Sequence, residues 1–258
     1  MESWTVFTGN CVPPPERVKY AILSDVHANL EALRAVLDDA EPRADGVLCL
    51  GDTVGYGADP EACVELLASR AGAIVAGNHE WGVADRLDLA WFNRWARAAA
   101  EWTRERLDDD HRAWLAALPL SVEFGDATLV HASPSRPDDW DYLVTAEDGW
   151  AAFGDFPTRW CFVGHSHVPG VWSLGSSGPD HDPRPVTVLS ERGRRYIVNV
   201  GSVGQPRDRD PRAAYALWDV EAGRVDIRRV VYDVDAARHK IEAAGLPRFL
   251  ADRLAAGA

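Results

Sequence analysis

Asp25 and His27 stand two positions apart at the end of an apolar stretch, in the sequence Ser24-Asp25-Val26-His27. Side chains at positions i and i+2 of a strand project to the same side, so the carboxylate and the imidazole face one way. Burying a carboxylate costs several kcal/mol unless something compensates its charge. A solvated turn and a bound metal ion are the two interpretations, and the other motifs of the chain decide between them.

Histidines recur at the ends of apolar segments that the sequence predicts to be strands. Of the 8 histidines, the following are placed in this way: His27, His79, His131, His165 and His167. In an open α/β sheet, functional sites form outside the carboxyl ends of the strands. The spacing therefore predicts a cluster of imidazoles at one edge of a sheet.

Four short motifs and one isolated histidine make up the candidate site: SDVH at 24–27, LGD at 50–52, GNHE at 77–80, GHSH at 164–167, and the histidine of LVHAS at 131. Gly51, Gly77 and Gly164 precede the polar residues and would allow tight turns with unusual φ. Each motif alone is weak, but together they favour a metal site. Mixed imidazole and carboxylate ligands suit Mn, Fe, Zn or Co rather than Ca.

This set of motifs resembles that of the calcineurin-like metallophosphoesterases, from about residue 18 to residue 208. The resemblance implies a four-layer α/β/β/α sandwich with two divalent metal ions, Mn expected and Fe, Zn, Co or Ni as alternatives. Two such ions activate a bridging hydroxide and clamp the phosphoryl group. The family's roles, carried to matching positions, give one metal to Asp25, His27 and His167, the other to Asn78, His131 and His165, the bridge to Asp52, and the general acid to His79.

The loop after Asp52, TVGYGADP, departs from part of the family. Protein Ser/Thr phosphatases and symmetrical diadenosine-tetraphosphate hydrolases carry V-D-R-G there, whereas this chain has Gly55 and Tyr56. The aspartate that would support the catalytic histidine and the arginine that would hold phosphate are therefore both missing. Glu80 is a candidate support for His79, but an exposed glutamate at a helix start is the favoured interpretation, because acidic residues are common in first turns.

Three further residues are candidates for binding the substrate. The segment 199–208, NVGSVGQPRD, resembles the C-terminal element of the smaller bacterial and archaeal phosphoesterases, and its Arg207 offers a fork of donors that matches phosphate. A surface ion pair is the alternative for Arg207 and equally for Arg136. Tyr56 either lines the pocket or packs in the core.

The elements that would position these residues follow from hydrophobic periodicity. The first part predicts strands at 18–23, 46–50 and 73–76 alternating with helices at 30–40 and from 60, which indicates parallel α/β layers. A helical insert around 85–117 carries a stripe of Trp91, Trp95, Ala99 and Trp102, interpreted as core packing, with a dimer face or a substrate wall as alternatives. A hairpin at 121–131, a helical patch near 147–153, and strands at 160–163, 186–189, 196–200, 215–220 and 225–232 predict a second half built as a sheet of hairpins, closed by a helix at 235–244.

Composition restricts the class of protein. The chain has 258 residues, 47% of them hydrophobic, and a net charge of −13, which argues against binding to nucleic acid. The longest apolar runs are too short to span a membrane. The 4 cysteines lack CxxC spacing, and no signal peptide is evident, so a cytoplasmic protein with free thiols is expected. Residues 1–17, which include three consecutive prolines, are expected to be an extension, and residues 18–258 a single domain.

The sequence thus predicts a metal-dependent phosphohydrolase acting on a small phosphorylated substrate: a phosphodiester, a phosphomonoester or a nucleotide. A non-catalytic scaffold of the same fold, a dinucleoside polyphosphate hydrolase, a protein phosphatase and a nuclease are the alternatives, and a homodimer is possible. Metal content with turnover would separate the enzyme from the scaffold.

Overall fold

The computed structural model describes residues 18–184 and 186–258, so the expected extension at 1–17 lies outside the described residues. These residues form two six-stranded sheets and eight α-helices. The strands are β1 (Lys19–Leu23), β2 (Gly46–Cys49), β3 (Ala71–Ile74), β4 (Ser121–Phe124), β5 (Ala127–Val130), β6 (Trp160–Val163), β7 (Gly170–Gly175), β8 (Gly178–Asp182), β9 (Thr187–Leu189), β10 (Arg195–Asn199), β11 (Ala213–Asp219) and β12 (Arg224–Val230). The helices are α1 (Leu30–Ala40), α2 (Pro60–Arg70), α3 (Asn78–Val83), α4 (Arg94–Arg106), α5 (Asp109–Ala117), α6 (Ala146–Ala152), α7 (Val234–Ala243) and α8 (Arg248–Ala256).

The two sheets each contain parallel strands whose carboxyl ends lie at one edge. The first sheet has the order β3-β2-β1-β11-β12-β9, with β1, β2 and β3 parallel. The second has the order β4-β5-β6-β10-β7-β8, with β5, β6 and β10 parallel. The prediction that the second half would be one sheet of hairpins is wrong, because β11 and β12 complete the first sheet and parallel pairing joins β5, β6 and β10.

The sheets pack face to face, and helices cover their outer faces. Ile22 and Trp218 of the first sheet meet Phe162 and Val198 of the second in the central layer of side chains. Helices α1, α7 and α8 pack on the outer face of the first sheet, and α6 packs on the second. The chain therefore has the α/β/β/α layering that the family resemblance implied.

Local sequence explains the elements that lead into the site. Helix α1 begins after Asn29, whose side chain accepts a hydrogen bond from the Ala32 N–H, and its apolar positions at Leu33, Val36 and Leu37 are buried on one face. Proline at the first position starts α2, as its fixed φ favours. Every helix among the described residues is too short or too polar to span a bilayer.

Other predictions need correction. The strand predicted at 73–76 is β3, which lies two residues earlier. The structure also contains β7, β8 and α8, which the sequence analysis did not predict. Within the helical insert, Trp91 lies in a short 3-10 turn and 82% of its surface is exposed, so it is not a core residue, whereas Trp95 and Trp102 pack against the core as expected. Cys49, Cys63 and Cys161 are buried free thiols.

Candidate metal centre

The candidate ligands converge at the edge where the parallel strands of both sheets end. Asp25 and His27 follow β1, Asp52 follows β2, His131 follows β5, and His165 and His167 follow β6, while Asn78 and His79 begin α3 after β3. Two groups have ligand atoms that lie within 4.8 Å of one another: Asp25, His27 and His167; and Asp52, His131 and His165. The structure thus brings together the side chains that the sequence motifs predicted to be neighbours.

Asp52 belongs to the second group and also approaches His27 of the first. Its Oδ2 is 3.6 Å from Nε2 of His27 in the first group and 3.3 Å from Nε2 of His131 in the second. Its other oxygen, Oδ1, accepts a hydrogen bond from the backbone N–H of His79 at 2.9 Å. One carboxylate oxygen is therefore anchored, and the other faces both groups, which is the position a shared ligand would need.

Asp25 is held in the same way. Its Oδ2 accepts a hydrogen bond from the backbone N–H of His165 at 3.0 Å, while Oδ1 lies 3.1 Å from Nε2 of His167 and 3.7 Å from Nε2 of His27. Both carboxylates are almost completely buried. The free oxygen of each points into the imidazole cluster.

Backbone carbonyls fix the orientation of three imidazoles. Nδ1 of His27 donates to the Val54 oxygen at 3.1 Å, and Nδ1 of His167 donates to the Gln205 oxygen at 2.6 Å. Nδ1 of His131 likewise donates to the Leu50 carbonyl at 2.8 Å. A neutral imidazole that donates from Nδ1 carries its lone pair on Nε2, so in their neutral forms, the forms that bind metal, all three rings present Nε2 as an acceptor.

Ring nitrogens of the cluster approach one another closely. Nε2 of His27 and Nε2 of His167 are 3.1 Å apart, and with both Nδ1 atoms protonated no proton is available between them. Nε2 of His131 lies 3.1 Å from Nδ1 of His165. Asn78 Oδ1 and His165 Nε2 are buried without a hydrogen-bond partner among the described residues. Converging lone pairs with carboxylates and an unused amide oxygen fit two divalent ions.

Electrostatics within the cluster support this fit. Burial alone would raise the pKa of Asp52, but the charges of His131 and His79, the hydrogen bond from His131 and the charge of His27 together hold that pKa well below its usual range. Burial tends to lower the pKa of His131, yet the Asp52 charge raises it to about 9. Burial, followed by the charge of His131, lowers the pKa of His165 to about 3. Without metal, one imidazolium offsets the carboxylates while its neighbour stays neutral.

The backbone of the ligands is itself strained. Positive φ values occur at Asp25 (54°), His27 (50°), Asp52 (52°), His165 (63°) and His167 (62°). A left-handed conformation in a non-glycine residue costs about 1–3 kcal/mol and clusters at functional sites. The sequence assigned unusual φ to the preceding glycines, but only Gly51 has one, at +91°.

Gly77 and Gly164 are required for close approach and not for φ. A Cβ at Gly77 would lie 2.1 Å from Oδ1 of Asp52, and one at Gly164 would lie 1.9 Å from Oγ of Ser24. Both distances are far below van der Waals contact. These glycines therefore let the loops of neighbouring strands meet at the site.

His79 lies beside the cluster, between aromatic rings. Its ring centroid is 4.6 Å from that of Tyr56, 4.8 Å from that of His27 and 5.0 Å from that of Phe92. Its Nδ1 is buried without a hydrogen-bond partner among the described residues. None of these residues therefore takes the place of the supporting aspartate of the V-D-R-G element, where this chain has Gly55. Burial lowers the pKa of His79 to about 4, although the Asp52 charge opposes this. Its ring nitrogens also lie within reach of His27 and Asp52 as a further possible metal group.

Glu80 is not the exposed helix-start residue that was expected. It is fully buried, and its carboxylate accepts backbone N–H groups of Asp52 at 2.7 Å, Thr53 at 2.6 Å and Gly77 at 2.7 Å. Burial and the Asp52 charge raise the pKa of Glu80 to about 7. Glu80 therefore holds the loop that carries Asp52 and does not form a hydrogen bond with Nδ1 of His79.

The three residues that are candidates for binding the substrate have different surroundings. Tyr56 is buried against His27, at 4.5 Å between ring centroids. The guanidinium of Arg207 lies 5.8 Å from the Tyr56 ring, and its Nε is buried without a partner. Arg136 is directed to the surface, 76% exposed, and pairs with Asp139 at 2.7 Å, as expected for a surface ion pair.

An aromatic cleft next to the cluster was not found from the sequence. The ring of Tyr142 stacks on His165 with centroids 4.0 Å apart, and a cleft of about 490 Å³ extends from Asn78 and His165 past Trp91 and Phe92. No spacing in the sequence links Tyr142 to the histidines, because a loop with a 3-10 turn at 137–139 carries it to the site. The available sequence signal was the tryptophan stripe, for which a substrate wall was one alternative, and its Trp91 lines the cleft.

Comparison with known proteins agrees with this architecture. The sequence profile of the calcineurin-like phosphoesterase superfamily domain matches residues 18–223. The uncharacterized protein MJ0912 of Methanocaldococcus jannaschii is 38% identical over 243 residues, which cover 92% of this chain and 97% of that protein. The crystal structure of a metallophosphoesterase from Sphaerobacter thermophilus is 43% identical, with a TM-score of 0.82 over 94% of this chain and 100% of the other.

A structure with lower sequence identity shows the same fold. Protein PH1004 from Pyrococcus horikoshii OT3 superposes with a TM-score of 0.77 at 22% identity, over 93% of this chain and 99% of that chain. The matched residues 18–223 contain every candidate ligand. Because these matches span most of its length, the chain belongs to the calcineurin-like phosphoesterase superfamily, a family of metal-dependent phosphoesterases.

Proposed function

We propose that this protein hydrolyses a phosphate ester, with a phosphodiester, a phosphomonoester or a nucleotide as the substrate. The observation that carries the proposal is the convergence of histidine nitrogens and carboxylate oxygens in two groups, with Oδ2 of Asp52 facing His131 in its own group and His27 in the other. A scaffold has no need to keep five strained ligand residues, whereas an active site commonly stores such strain.

The assignment of ligands follows the two groups. Asp25, His27 and His167 would hold one divalent ion, Asn78, His131 and His165 the other, and Asp52 both. Two bound ions would supply an activated water for in-line attack and would neutralise the negative charge of the phosphoryl group. Mn²⁺ is the expected ion, and Fe, Zn, Co and Ni suit the same nitrogen and oxygen donors.

The chain's own residues would orient the substrate and move the proton. His79 stands next to the metal groups with Nδ1 unused, a position from which an imidazole can pass a proton to a departing oxygen. An anionic substrate would raise the pKa of this buried imidazole from its low value in the free protein. Arg207, whose guanidinium faces the same side, would bind phosphoryl oxygens.

A metal add-back assay tests the proposal. Chelator-treated protein is assayed with bis-p-nitrophenyl phosphate and with p-nitrophenyl phosphate, before and after addition of Mn²⁺, and His79→Ala serves as the control. We expect turnover that requires metal and falls in the variant, while the amount of bound metal stays near the wild-type value. Loss of metal in the His79→Ala variant would make His79 a ligand, and absence of turnover with two ions bound would contradict hydrolysis of these ester classes.

A further inference from the structure

The aromatic cleft beside the candidate metal centre has room for more than a phosphoryl group. Its volume is about 490 Å³, and two candidate metal ligands, Asn78 and His165, belong to its lining. The aromatic side chains of Trp91, Phe92 and Tyr142 line the same cleft. A cleft of this size next to a reaction site can hold the organic part of a small substrate.

The most exposed aromatic rings of the described residues lie in this cleft. Trp91 is 82% exposed and Tyr142 is 52% exposed, although tryptophan is on average a largely buried residue. A ring that stays in water forgoes the stabilisation that burial of its apolar surface would give. Because both rings line one cleft, this exposed apolar surface is concentrated beside the candidate metal ligands.

Hydrogen bonds of a short turn fix the position of Trp91. The Trp91 N–H donates to the Asp88 backbone oxygen at 3.1 Å, and the Asp88 side chain accepts from the Ala90 N–H at 2.8 Å. Leu89 of the same turn is buried, and the side chain of Asn93 caps α4 directly after it. A ring on an ordered backbone loses little conformational entropy when a ligand stacks on it. The turn therefore presents the exposed indole in a preorganised position.

Two of the rings connect the cleft to residues of the proposed reaction site. The Tyr142 ring stacks on that of His165, with centroids 4.0 Å apart and 21° between the ring planes. The Phe92 ring packs against that of His79, with centroids 5.0 Å apart. A flat group bound along these rings would therefore lie next to the candidate metal ligand and the proposed general acid.

The charge of the cleft disfavours an anionic occupant. Asp138, Asp139 and Asp141 line it, and no lysine or arginine of the described residues does so. Arg136, which is not part of the lining, pairs with Asp139 at 2.7 Å and lies 3.7 Å from Asp141. Carboxylates repel a further phosphate or carboxylate, but they accept hydrogen bonds from N–H groups at the edge of a neutral ring.

We propose that this cleft binds a flat, uncharged aromatic ring of the substrate with N–H donors at its edge, as in an amino-bearing nucleobase, and that the ring stacks on Trp91 and Tyr142. The inference rests on the proposed function and deepens it, because it makes the substrate a phosphate ester that carries such a ring. Aromatic side chains suit this role because every base has a face on which they can stack.

A pair of phosphonates tests this proposal by binding alone. Adefovir carries adenine on a short linker, and ethoxymethylphosphonate is the same molecule without the base. Isothermal titration calorimetry of the full chain at saturating, buffered Mn²⁺ gives the ratio of their two Kd values. Trp91→Ala removes the ring, Trp91→Phe keeps a ring, and Trp91→Leu keeps an apolar side chain without one. Phe249→Ala is the matched control, because Phe249 is an exposed aromatic residue outside the lining of the cleft.

We expect the wild-type protein to bind adefovir about tenfold or more tightly than ethoxymethylphosphonate, within the range that one stacked base contributes. Trp91→Ala and Trp91→Leu should reduce this ratio to about threefold or less, whereas Trp91→Phe should retain most of it. Phe249→Ala should leave the ratio unchanged. A wild-type ratio near one, an unchanged ratio in Trp91→Ala, or an equal reduction in Phe249→Ala would overturn the proposal. Retention of the ratio in Trp91→Leu would overturn stacking as its cause.

A second pair of ligands tests the charge of the occupant. Benzylphosphonate and its para-carboxy derivative differ by one carboxylate on the ring. The aspartates of the cleft should make the carboxylated ring bind more weakly. Tighter binding of the carboxylated ring would overturn the assignment of an uncharged group.

Failure of the proposed function has a different signature. Wild-type turnover of bis-p-nitrophenyl phosphate reports hydrolysis, whereas calorimetry with phosphonates reports binding. Absence of turnover together with the expected ratios of Kd values would support the aromatic subsite and remove the hydrolase. Turnover together with a wild-type ratio near one would support the hydrolase and overturn the aromatic subsite.

Discussion

The Gly55→Ala substitution would drive a methyl group into the ring of His79. Gly55 has φ of +85°, and a Cβ built there would lie 2.1 Å from Nδ1 and 2.9 Å from Cε1 of His79. The His79 ring cannot swing freely, since Tyr56 and Phe92 pack against it. The substitution therefore changes the position of His79 without touching any predicted metal ligand.

The expected fall in kcat follows from the distance by which the His79 ring must move. Real Cβ atoms keep at least 3.0 Å from such neighbours, so the ring must move by about 1 Å. A misplacement of about 1 Å in a catalytic group can cost about 100-fold in rate. Alanine in a left-handed conformation costs about 1–2 kcal/mol in stability as well. We expect kcat to fall about 100-fold while the metal content stays near the wild-type value.

Metal-dependent hydrolysis of bis-p-nitrophenyl phosphate measures kcat, and elemental analysis measures bound metal. Gly178→Ala is the matched control, because Gly178 has φ of +95° and nothing within 4 Å of its Cβ position. It should lose stability but keep its rate. In the His79→Ala background, Gly55→Ala should cause little further loss, since the displaced ring is gone.

Two results would refute this reasoning. A rate within about threefold of wild type in Gly55→Ala would mean that the His79 position is not critical for the reaction. An undiminished effect in the His79→Ala background would show that the substitution acts through the loop and not through the ring.

Asp52→Asn should reduce the binding of both ions together, since Oδ2 faces both groups; measured metal content that falls by one ion only would contradict the shared role. Glu80→Gln should lower the free energy of unfolding by about 2–4 kcal/mol, because an amide cannot accept all three backbone N–H groups; an unchanged urea midpoint would show that the loop is held otherwise. Burial lowers the pKa of four site histidines, to about 4 at His79 and about 3 at His165, below their unfolded value of 6.5. The unfolded chain thus binds more protons below pH 6.5, and the stability of chelator-treated protein should fall as the pH decreases from 6.5 to 4, because these four groups outnumber Glu80 and His131, whose raised pKa values act in the opposite direction. Urea unfolding at pH 6, 5 and 4 measures this, and constant or rising stability would be inconsistent with neutral buried imidazoles.

Local sequence was sufficient to predict elements whose capping and apolar spacing lie within the element itself. The bounds of α1 follow from a side-chain cap at Asn29 and from apolar spacing, both contained within the helix itself. The motif residues were also identifiable, because five histidines after apolar segments have no simple packing explanation. Elements with weak local patterns were missed: β8, with the sequence GPDHD, is a polar edge strand stabilised by pairing with β7.

The tertiary structure decided what depends on residues far apart in the chain. Glu80 is buried because its hydrogen-bond donors include Asp52 and Thr53, which precede it by 28 and 27 residues, and a helix-start pattern carries no information about them. The sequence by itself determined which side chains could bind metal. Their spacing, strain and charge arise from parallel strands of two sheets ending at one edge, where backbone and side chains from distant segments satisfy each other's hydrogen bonds.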